Sequence, residues 1–556
     1  MKKNGAEIVM ECLREMGTDT IFGYPGGAVI PLYDALYKYM DKFKYIATSH
    51  EQGAVHAADG YARSSGKTGV VFATSGPGAT NTVTGIATAY ADSVPLIVIT
   101  GQVNRSLIGR DSFQEADITS ITLPVTKHNY LVRRAEDIAS VMREAFRIAN
   151  NKRKGPVLID IPKDVFTEET FYENQCHENN KYSKNISVSY SENDLKACAE
   201  LINHSKRPVL YCGGGITASG ASPELMELCN KTGIPVVSTM MGLGGFPASH
   251  PLSYGLVGMH GFFQANMAVS SSDLILAAGA RFSDRVTGST DSFASRAKII
   301  QIDIDQAEIG KNKDVDLYIL GDIKDILSKL NSYTKHANRN GWTKEIDSWK
   351  ISQPYEDGMT GVKIIKKANE ILGSGTIVAT DTGQHQMWTA QHWKFEKPGT
   401  LLSSGGFGTM GYGLGAAIGA SIANPGKRVL LVTSDGSFRM NMNELATVSR
   451  NKLPITILLL NNHSLGMVRQ WQNLFCEKRF SGTDLGDEVD YVKLANAFGI
   501  TGRRIYCEDE LDAALDIAKS GSTASLIECV IDKDEMVLPI VPPGMGINNM
   551  ITKMPH

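Results

Sequence analysis

The sequence predicts an α/β protein built from doubly wound parallel sheets, and three observations carry that prediction. Short apolar runs recur along the chain, each followed by a stretch of helical length, which is the rhythm of strand, crossover helix and parallel strand. Two of these units share one layout. In the first, residues 70–73 lead into Thr74-Ser75-Gly76-Pro77-Gly78, and Pro95 opens the apolar run 96–99. In the second, residues 429–432 lead into Thr433-Ser434-Asp435-Gly436-Ser437, and Pro454 opens the run 455–460. Ser75 to Pro95 and Ser434 to Pro454 are the same distance apart, so the first and last domains are expected to share one fold. Finally, 556 residues exceed what a single core can organise, so the chain must divide into domains.

The elements follow in order. The start, Met1-Lys2-Lys3-Asn4-Gly5-Ala6-Glu7, lacks a signal-peptide core, and Ile8, Val9, Cys12, Leu13 and Met16 mark one face of a helix ending at Gly17. The first domain, 1–172, has strands expected at 20–22, 70–73, 96–100 and 157–161. Residues 173–192 are polar and read as a linker. The central domain, 190–332, offers 208–212, 235–238, 274–278 and 299–302 as strands. A second polar stretch, 331–357, crosses to the third domain, 358–540, with strands at 376–379, 429–433, 455–460 and 525–530. Residues 541–556 form a carboxyl-terminal tail or lid.

Bulk numbers exclude several classes. A net charge of −3 and a pI near 6.5 give no polyanion footprint, so nucleic acid is not an expected partner. Lys152-Arg153-Lys154 is a short basic run and reads as a solvated loop. The eight cysteines include no C-x-x-C pair, which argues against structural zinc or a disulfide framework and fits a reducing cytosol. No apolar run approaches the ~20 residues of a membrane span. The expectation is a cytoplasmic protein.

In parallel sheets, ligands sit beyond the carboxyl ends of the strands. Asp435 emerges there into Gly436-Ser437, and a helix is expected to begin, with Phe438, Met442, Leu445 and Val448 at helical spacing. A helix amino end presents free N–H groups to an anion, and Gly436 permits close backbone approach. Asp435 and Asn462 supply hard oxygen ligands suited to Mg²⁺ shared with phosphate. An Asp-Gly turn is ordinarily only a turn, but Asn461-Asn462 ends the next parallel strand. Together they resemble the pattern of thiamine-diphosphate enzymes, with Ser434 where that family usually has Gly.

The resemblance extends over nearly the whole chain. Tyr24-Pro25-Gly26-Gly27-Ala28, Ile99-Thr100-Gly101-Gln102-Val103, Phe113-Gln114-Glu115 and Thr126-Lys127-His128-Asn129-Tyr130 are similar to the acetohydroxyacid (acetolactate) synthase catalytic subunit. So are Gly383-Gln384-His385-Gln386-Met387-Trp388, Gly466-Met467-Val468-Arg469-Gln470-Trp471 and Val541-Pro542-Pro543-Gly544. The resemblance implies two thiamine-diphosphate-binding domains around a Rossmann-like central domain. It implies that Asp435, Asn462 and Ser464 hold Mg²⁺, and that Gly436, Ser437, Gln384 and His385 meet the diphosphate. Gly408, Met410 and Met467 would support the cofactor rings, although a Met in a Gly-rich loop can equally be ordinary packing.

Glu51, in Ser49-His50-Glu51-Gln52-Gly53-Ala54, would activate the cofactor's pyrimidine across a dimer interface, with Pro77 and Asn81 beside it. A loop Glu is otherwise most often a surface residue. Gly27, Phe113, Gln114 and Lys127 would border the reacting carbon, Lys127 being otherwise a snorkelling surface residue. Trp471 would shape the pocket for the second 2-ketoacid, and is otherwise a half-buried helix aromatic. Gly213, Gly214 and Gly215 match only a loose dinucleotide fingerprint. Arg281-Phe282-Ser283-Asp284-Arg285 resembles the family's flavin segment, with Ser283 replacing an Asp.

By that resemblance Gly279, Arg281, Asp284, Arg285, Asp303 and Asp322 would hold a structural FAD, and Arg281 would anchor the second substrate's carboxylate. Helix capping is the alternative for both Asp303 and Asp322. The expected activity is acetohydroxyacid synthesis from pyruvate and a second 2-ketoacid, pyruvate or 2-ketobutyrate, in branched-chain amino-acid biosynthesis. Rivals are an FAD-dependent pyruvate oxidase, another thiamine-diphosphate carboligase or decarboxylase, and a non-catalytic binding protein of the same fold. A homodimer with shared sites is expected. Tetramers and a separate regulatory subunit are left open.

Overall fold

A computed structural model describes residues 1–174, 190–351 and 358–553. Domain one carries β1 (Lys2–Asn4), β2 (Thr20–Gly23), β3 (Lys44–Ala47), β4 (Gly69–Ala73), β5 (Leu96–Gln102), β6 (His128–Leu131), β7 (Val157–Pro162) and β8 (Glu169–Phe171). The central domain carries β9 (Pro208–Cys212), β10 (Val236–Ser238), β11 (Ser253–Leu256), β12 (Leu274–Ala278), β13 (Lys298–Asp303) and β14 (Leu317–Leu320). Domain three carries β15 (Ile377–Thr380), β16 (Leu401–Leu402), β17 (Val429–Ser434), β18 (Ile455–Asn461), β19 (Thr501–Ile505) and β20 (Ser525–Val530).

Each domain is organised by a six-stranded sheet whose neighbouring strands all run parallel. The first sheet has the order β3-β2-β4-β5-β7-β6 and the third β16-β15-β17-β18-β20-β19. Within each sheet the second strand lies outside the first and the fifth outside the sixth, so the terminal domains have one topology. The duplicated units differ by one residue in register: Ala73 lies opposite Thr100, whereas Val432, its counterpart, lies opposite Leu458. The central sheet, β11-β10-β9-β12-β13-β14, has the Rossmann order with its switch point between β9 and β12.

Why these segments are strands is visible in their burial. Val70 to Ala73, Leu96 to Ile99, Val429 to Val432 and Ile455 to Leu460 are at most 1% exposed, except where Thr456 interrupts, as both faces of a parallel sheet are covered by helices. Terminal domains one and three share a single core cluster, running from Phe22, Val55 and Val71 through Leu414, Ile418, Leu431 and Ile457. Its centre is the crossing of helix Glu51–Ser65 with helix Gly413–Ala423. The backbones approach so closely that a Cβ on Gly60 would lie 2.2 Å from the carbonyl oxygen of Ala416. One on Gly419 would lie 1.8 Å from that of Ala57.

Three expectations are corrected. The single helix expected after Asp435 is broken into Asp435–Phe438, a 3₁₀ turn at Met442–Glu444, and Leu445–Arg450. The break lies at Asn441, whose backbone leaves helical geometry (φ −142°, ψ 20°) and whose side-chain amide donates to Gly411 O at 3.0 Å. The polar stretch 331–357 is not simply a crossing: helix Asn340–Ser348 buries Trp342 and Ile346 against the central domain. Of that stretch, 352–357 lie outside the described residues, as do 175–189 of the first linker. The described part of the carboxyl-terminal segment is packed and not a loose tail. Val541 and Ile547 are 1% exposed in the central-domain core, Val541 N donates to Met259 O, and Asn266 Nδ2 donates to Ile547 O.

Candidate active site

Asp435 and Asn462 stand just past the ends of adjacent parallel strands, β17 and β18, so the sheet itself brings them together. Asp435 is fully buried, and among the described residues neither carboxylate oxygen has a hydrogen-bond partner. Burial pushes its carboxyl up to about 6. A buried carboxylate left this way is costly unless a cation completes it. Asn462 Oδ1 accepts from Ser464 N at 3.1 Å, and the Ser464 hydroxyl donates to Thr483 O at 2.8 Å, leaving oxygen lone pairs on both side chains. One carboxylate with two neutral oxygens lacks the His or Cys ligands that zinc favours but fits Mg²⁺ that takes its other ligands from phosphate and water.

A cavity of about 70 Å³ opens beside this group, lined by Gly383, His385, Met410, Asn462, Ser464 and Met467 among others. His385 is 1% exposed with Nε2 unpartnered, and burial pulls it down to about 3, so the ring is neutral near pH 7. Gln384 is placed differently from expectation. Its Nε2 donates to Gln470 Oε1 and to Glu535 O, and its Oε1 accepts from Asn462 Nδ2 at 3.4 Å. The amide therefore orients Asn462 and has no donor left for a phosphate. Ser437, fully buried, donates its hydroxyl to Thr382 O, and Gly436 faces Leu465, Leu485 and the Met410 methyl. Gly408 has φ +69° in the turn before Met410.

A much larger cavity, about 1700 Å³, runs between the domains. Every residue expected to meet a flavin lines it: Gly213, Gly214, Gly215, Gly279, Arg281, Asp284, Arg285, Asp303 and Asp322. Met410, Met467 and Trp471 line its other end. The glycines are required by contact, since a Cβ on Gly213 would meet Gly279 O at 2.1 Å and one on Gly215 would meet Gly279 Cα at 2.6 Å. Arg281 precedes Phe282, a buried non-glycine residue held at φ +50°. Such strain clusters at functional sites. Among the described residues the Arg281 guanidinium has no carboxylate partner. Asp303 is pushed up to about 6, by burial first and by Glu308 and Asp305 next. Asp322 caps helix Ile323–Tyr333 by accepting from Lys324 N, so the capping role and the cavity position coexist. Trp471 is half-buried and meets Phe475 edge-on, ring centroids 5.3 Å apart.

The remaining residues gather on domain one and do not line that cavity. Glu51 opens helix Glu51–Ser65, is 8% exposed, and accepts from Asn81 Nδ2 at 3.0 Å. A Cβ on Gly78 would lie 3.2 Å from its Oε1, so the Pro77-Gly78 turn presses on the carboxylate. Gln114, at φ +58°, packs its backbone on Gly76, and Phe113 is 88% exposed beside it. Gly27 is exposed with open space around its Cα. Lys127 takes another place than the one expected. Its ammonium donates to Ile148 O and Asn151 O, capping the end of helix Ile138–Asn150, and burial pulls it down to about 8.

Family profiles for thiamine pyrophosphate enzymes match all three domains: the N-terminal TPP binding domain over residues 3–121, the central domain over 195–330, and the C-terminal TPP binding domain over 381–529. The chain is 45% identical to an acetolactate synthase of Mycobacterium leprae, over 97% of this chain and 89% of that one. It is 42% identical to the acetolactate synthase isozyme 2 large subunit of Escherichia coli, over 99% of this chain and all of that one. An acetolactate synthase large subunit of Cyanidium caldarium is 44% identical over 99% and 97%. The chain belongs to the acetolactate synthase large-subunit family.

As a member of that family, the chain carries polar residues at its site that the motifs did not single out. Asp381, 1% exposed, accepts from Gly413 N and the Thr433 hydroxyl, holding the start of helix Gly413–Ala423 close behind Met410. Gln470 ties Gln384 to Val537 through hydrogen bonds in both directions. An acid directly after a strand, as Asp381 is after β15, was the available signal. Gln470 had none beyond its place in a quoted motif.

Proposed function

We propose that this protein is an acetohydroxyacid synthase that joins two 2-ketoacid molecules with loss of carbon dioxide, giving 2-acetolactate or 2-aceto-2-hydroxybutyrate for branched-chain amino-acid synthesis. The observation that carries the reading is the buried Asp435 carboxylate, unpartnered and set at the strand ends beside Asn462 and Ser464. Thiamine diphosphate, when bound, supplies the electron sink that makes decarboxylation of a 2-ketoacid and transfer of its two-carbon remainder possible.

The chain's own residues do the rest. Asp435, Asn462 and Ser464 would hold Mg²⁺, and His385, with its free Nε2, would face the diphosphate. Met410 and Met467, which line the cavity beside that group, would support the cofactor's rings. Glu51 would hold the cofactor's pyrimidine nitrogen and share a proton with it, which its nearly dry setting against Gly78 and Asn81 supports. Arg281 offers a planar fork to the second substrate's carboxylate, and Trp471 shapes the space for that substrate's side chain. One methylene there is worth about 1–3 kcal/mol of preference. The glycine loops of the central domain would carry FAD, with Asp303 and Asp322 toward its adenosine end and no redox step assigned to it.

The separation of Glu51 from the cavity holding Met410 supports sites shared between two chains. Exposed Ile30, Phe113, Leu123, Phe407 and Met440 support a covered surface around them. The relatives' designation as large subunits supports a separate small partner. No described helix is long and apolar enough to cross a membrane, and the sequence's cysteine pattern supports the cytoplasm. The test is an assay with pyruvate alone: acetolactate should form only with thiamine diphosphate and Mg²⁺ present. Stoichiometric bleaching of a bound flavin by pyruvate at catalytic speed, without acetolactate, would overturn the reading in favour of an oxidase.

A further inference from the structure

In each terminal domain the loop after the second strand ends at the site. After β3 the chain runs through Thr48, Ser49 and His50 to Glu51; after β16 it runs through Ser403 and Gly405 to Met410. Each loop is gripped by a carboxylate from the other terminal domain. Glu444, fully buried in domain three, accepts from Ser49 N with both oxygens, at 3.0 and 3.1 Å, and from the backbone of His50. One turn on, a Cβ on Gly53 would meet Glu444 Oε1 at 2.2 Å, so only glycine admits the carboxylate.

Asp92, whose side chain is fully buried in domain one, accepts from Gly405 N at 3.0 Å and Gly406 N at 2.7 Å. Here too a Cβ would intrude, 2.8 Å from Asp92 Oδ1 at Gly406. Arg63 completes this grip, donating to Asp92, to Asp59 and to Ser403 O. The flanking Ser403, Ser404 and Thr409 are tied within domain three and to Thr88. Gly405, Gly406, Phe407 and Gly408 between them are exposed, and the Asp92 bonds hold the backbone of Gly405 and Gly406.

We propose that Glu444 and Asp92 are reciprocal positioning residues: Glu444 of the metal-binding domain fixes the turn that presents Glu51, and Asp92 of the glutamate-bearing domain fixes the loop that presents Met410. The inference rests on the acetohydroxyacid synthase reading for what the two loops present, and on the contacts alone for the clamps. A carboxylate is the group that suits this task. It accepts from two N–H groups at once, whereas an amide in its place turns a donor toward one of them.

The experiment is amide hydrogen exchange on the full chain, wild type, Asp92→Asn and Glu444→Gln, with and without thiamine diphosphate and Mg²⁺. Asp92→Asn should speed exchange of residues 403–408, and Glu444→Gln that of 48–53, each by about tenfold or more with the other loop nearly unchanged. On thiamine-diphosphate titration, Asp92→Asn should weaken binding by about tenfold. Glu444→Gln should leave the affinity within about threefold, yet slow deuterium exchange at the cofactor's reactive carbon by about tenfold. Unchanged exchange in the facing loop, or equal loosening of both loops in either variant, would overturn the clamps. Loosened loops with normal cofactor affinity and normal carbon exchange would overturn their positioning role. Should either variant not fold, Asp92→Glu and Glu444→Asp keep the charge and alter only the reach, and the same loop-by-loop pattern is expected. Wild-type protein that binds no thiamine diphosphate would sink the functional reading while leaving the exchange pattern to judge the clamps.

Discussion

Glu51 and Asp435 are both buried carboxylates, yet their surroundings assign them different work. Glu51 has an amide donor in Asn81, while Asp435 has none for either oxygen among the described residues. Glu51→Gln is expected to keep thiamine-diphosphate affinity and to lower turnover by about 10²-fold or more, because an amide cannot share the proton. A cofactor-saturated steady-state assay beside a binding titration separates the two effects. Asp435→Asn should do the reverse. Removing an unpaired buried charge should stabilise the cofactor-free protein by about 1 kcal/mol or more, read from urea unfolding, while Mg²⁺-dependent cofactor binding is lost.

At the scale of elements, the crossing of helices Glu51–Ser65 and Gly413–Ala423 decides how the terminal domains meet. Gly419→Ala would gain about 1 kcal/mol of helix propensity. It would also place a methyl 1.8 Å from Ala57 O, and backbone displaced in a packed core costs about 1–3 kcal/mol or more. The clash wins, so a lower denaturation midpoint is expected, where an exposed glycine in a helix would give a higher one. What could be read from the sequence follows the same physics of burial. The strands recognised in each sheet, such as β2, β4, β5 and β7, are the inner four, covered on both faces and therefore continuously apolar. The edge strands escaped notice as strands. β19 is Thr-Gly-Arg-Arg-Ile, β16 is two residues long, and β3 is Lys-Tyr-Ile-Ala with only Ile46 buried. At the site, Asp435, Asn462 and the glycine loops were legible because strand ends and turns declare themselves locally. The parts played by Gln384, Lys127, Asp92 and Glu444 were not, since each depends on a partner far away in the chain.

For the whole molecule, the shared-site arrangement predicts complementation. Glu51→Gln and Asp435→Asn chains, each nearly inactive, should regain about a quarter of wild-type activity when mixed in equal amounts and allowed to exchange, since half the dimers hold one intact site. Activity no greater than the mean of the two variants would refute sharing. Acid should also unfold the protein early. His56, His260 and His392 are pulled by burial to about 3, 4 and 3. A base depressed in the fold contributes stability that is present above its unfolded value, ~6.5, and is lost as pH falls towards the folded one. Each group's share of the slope is at most about 1.4 kcal/mol per pH unit. Urea unfolding at pH 7.5, 6 and 5 should show falling stability, and His392→Gln should flatten the decline.

The repeated sheet order of the terminal domains also bears on ancestry. Two copies of one scaffold, the first keeping an acid after its second strand and the second keeping cation ligands after its third and fourth, are what tandem duplication and complementary loss leave behind. Neither copy retains a whole catalytic kit, so selection acts on the pair as a single heritable unit.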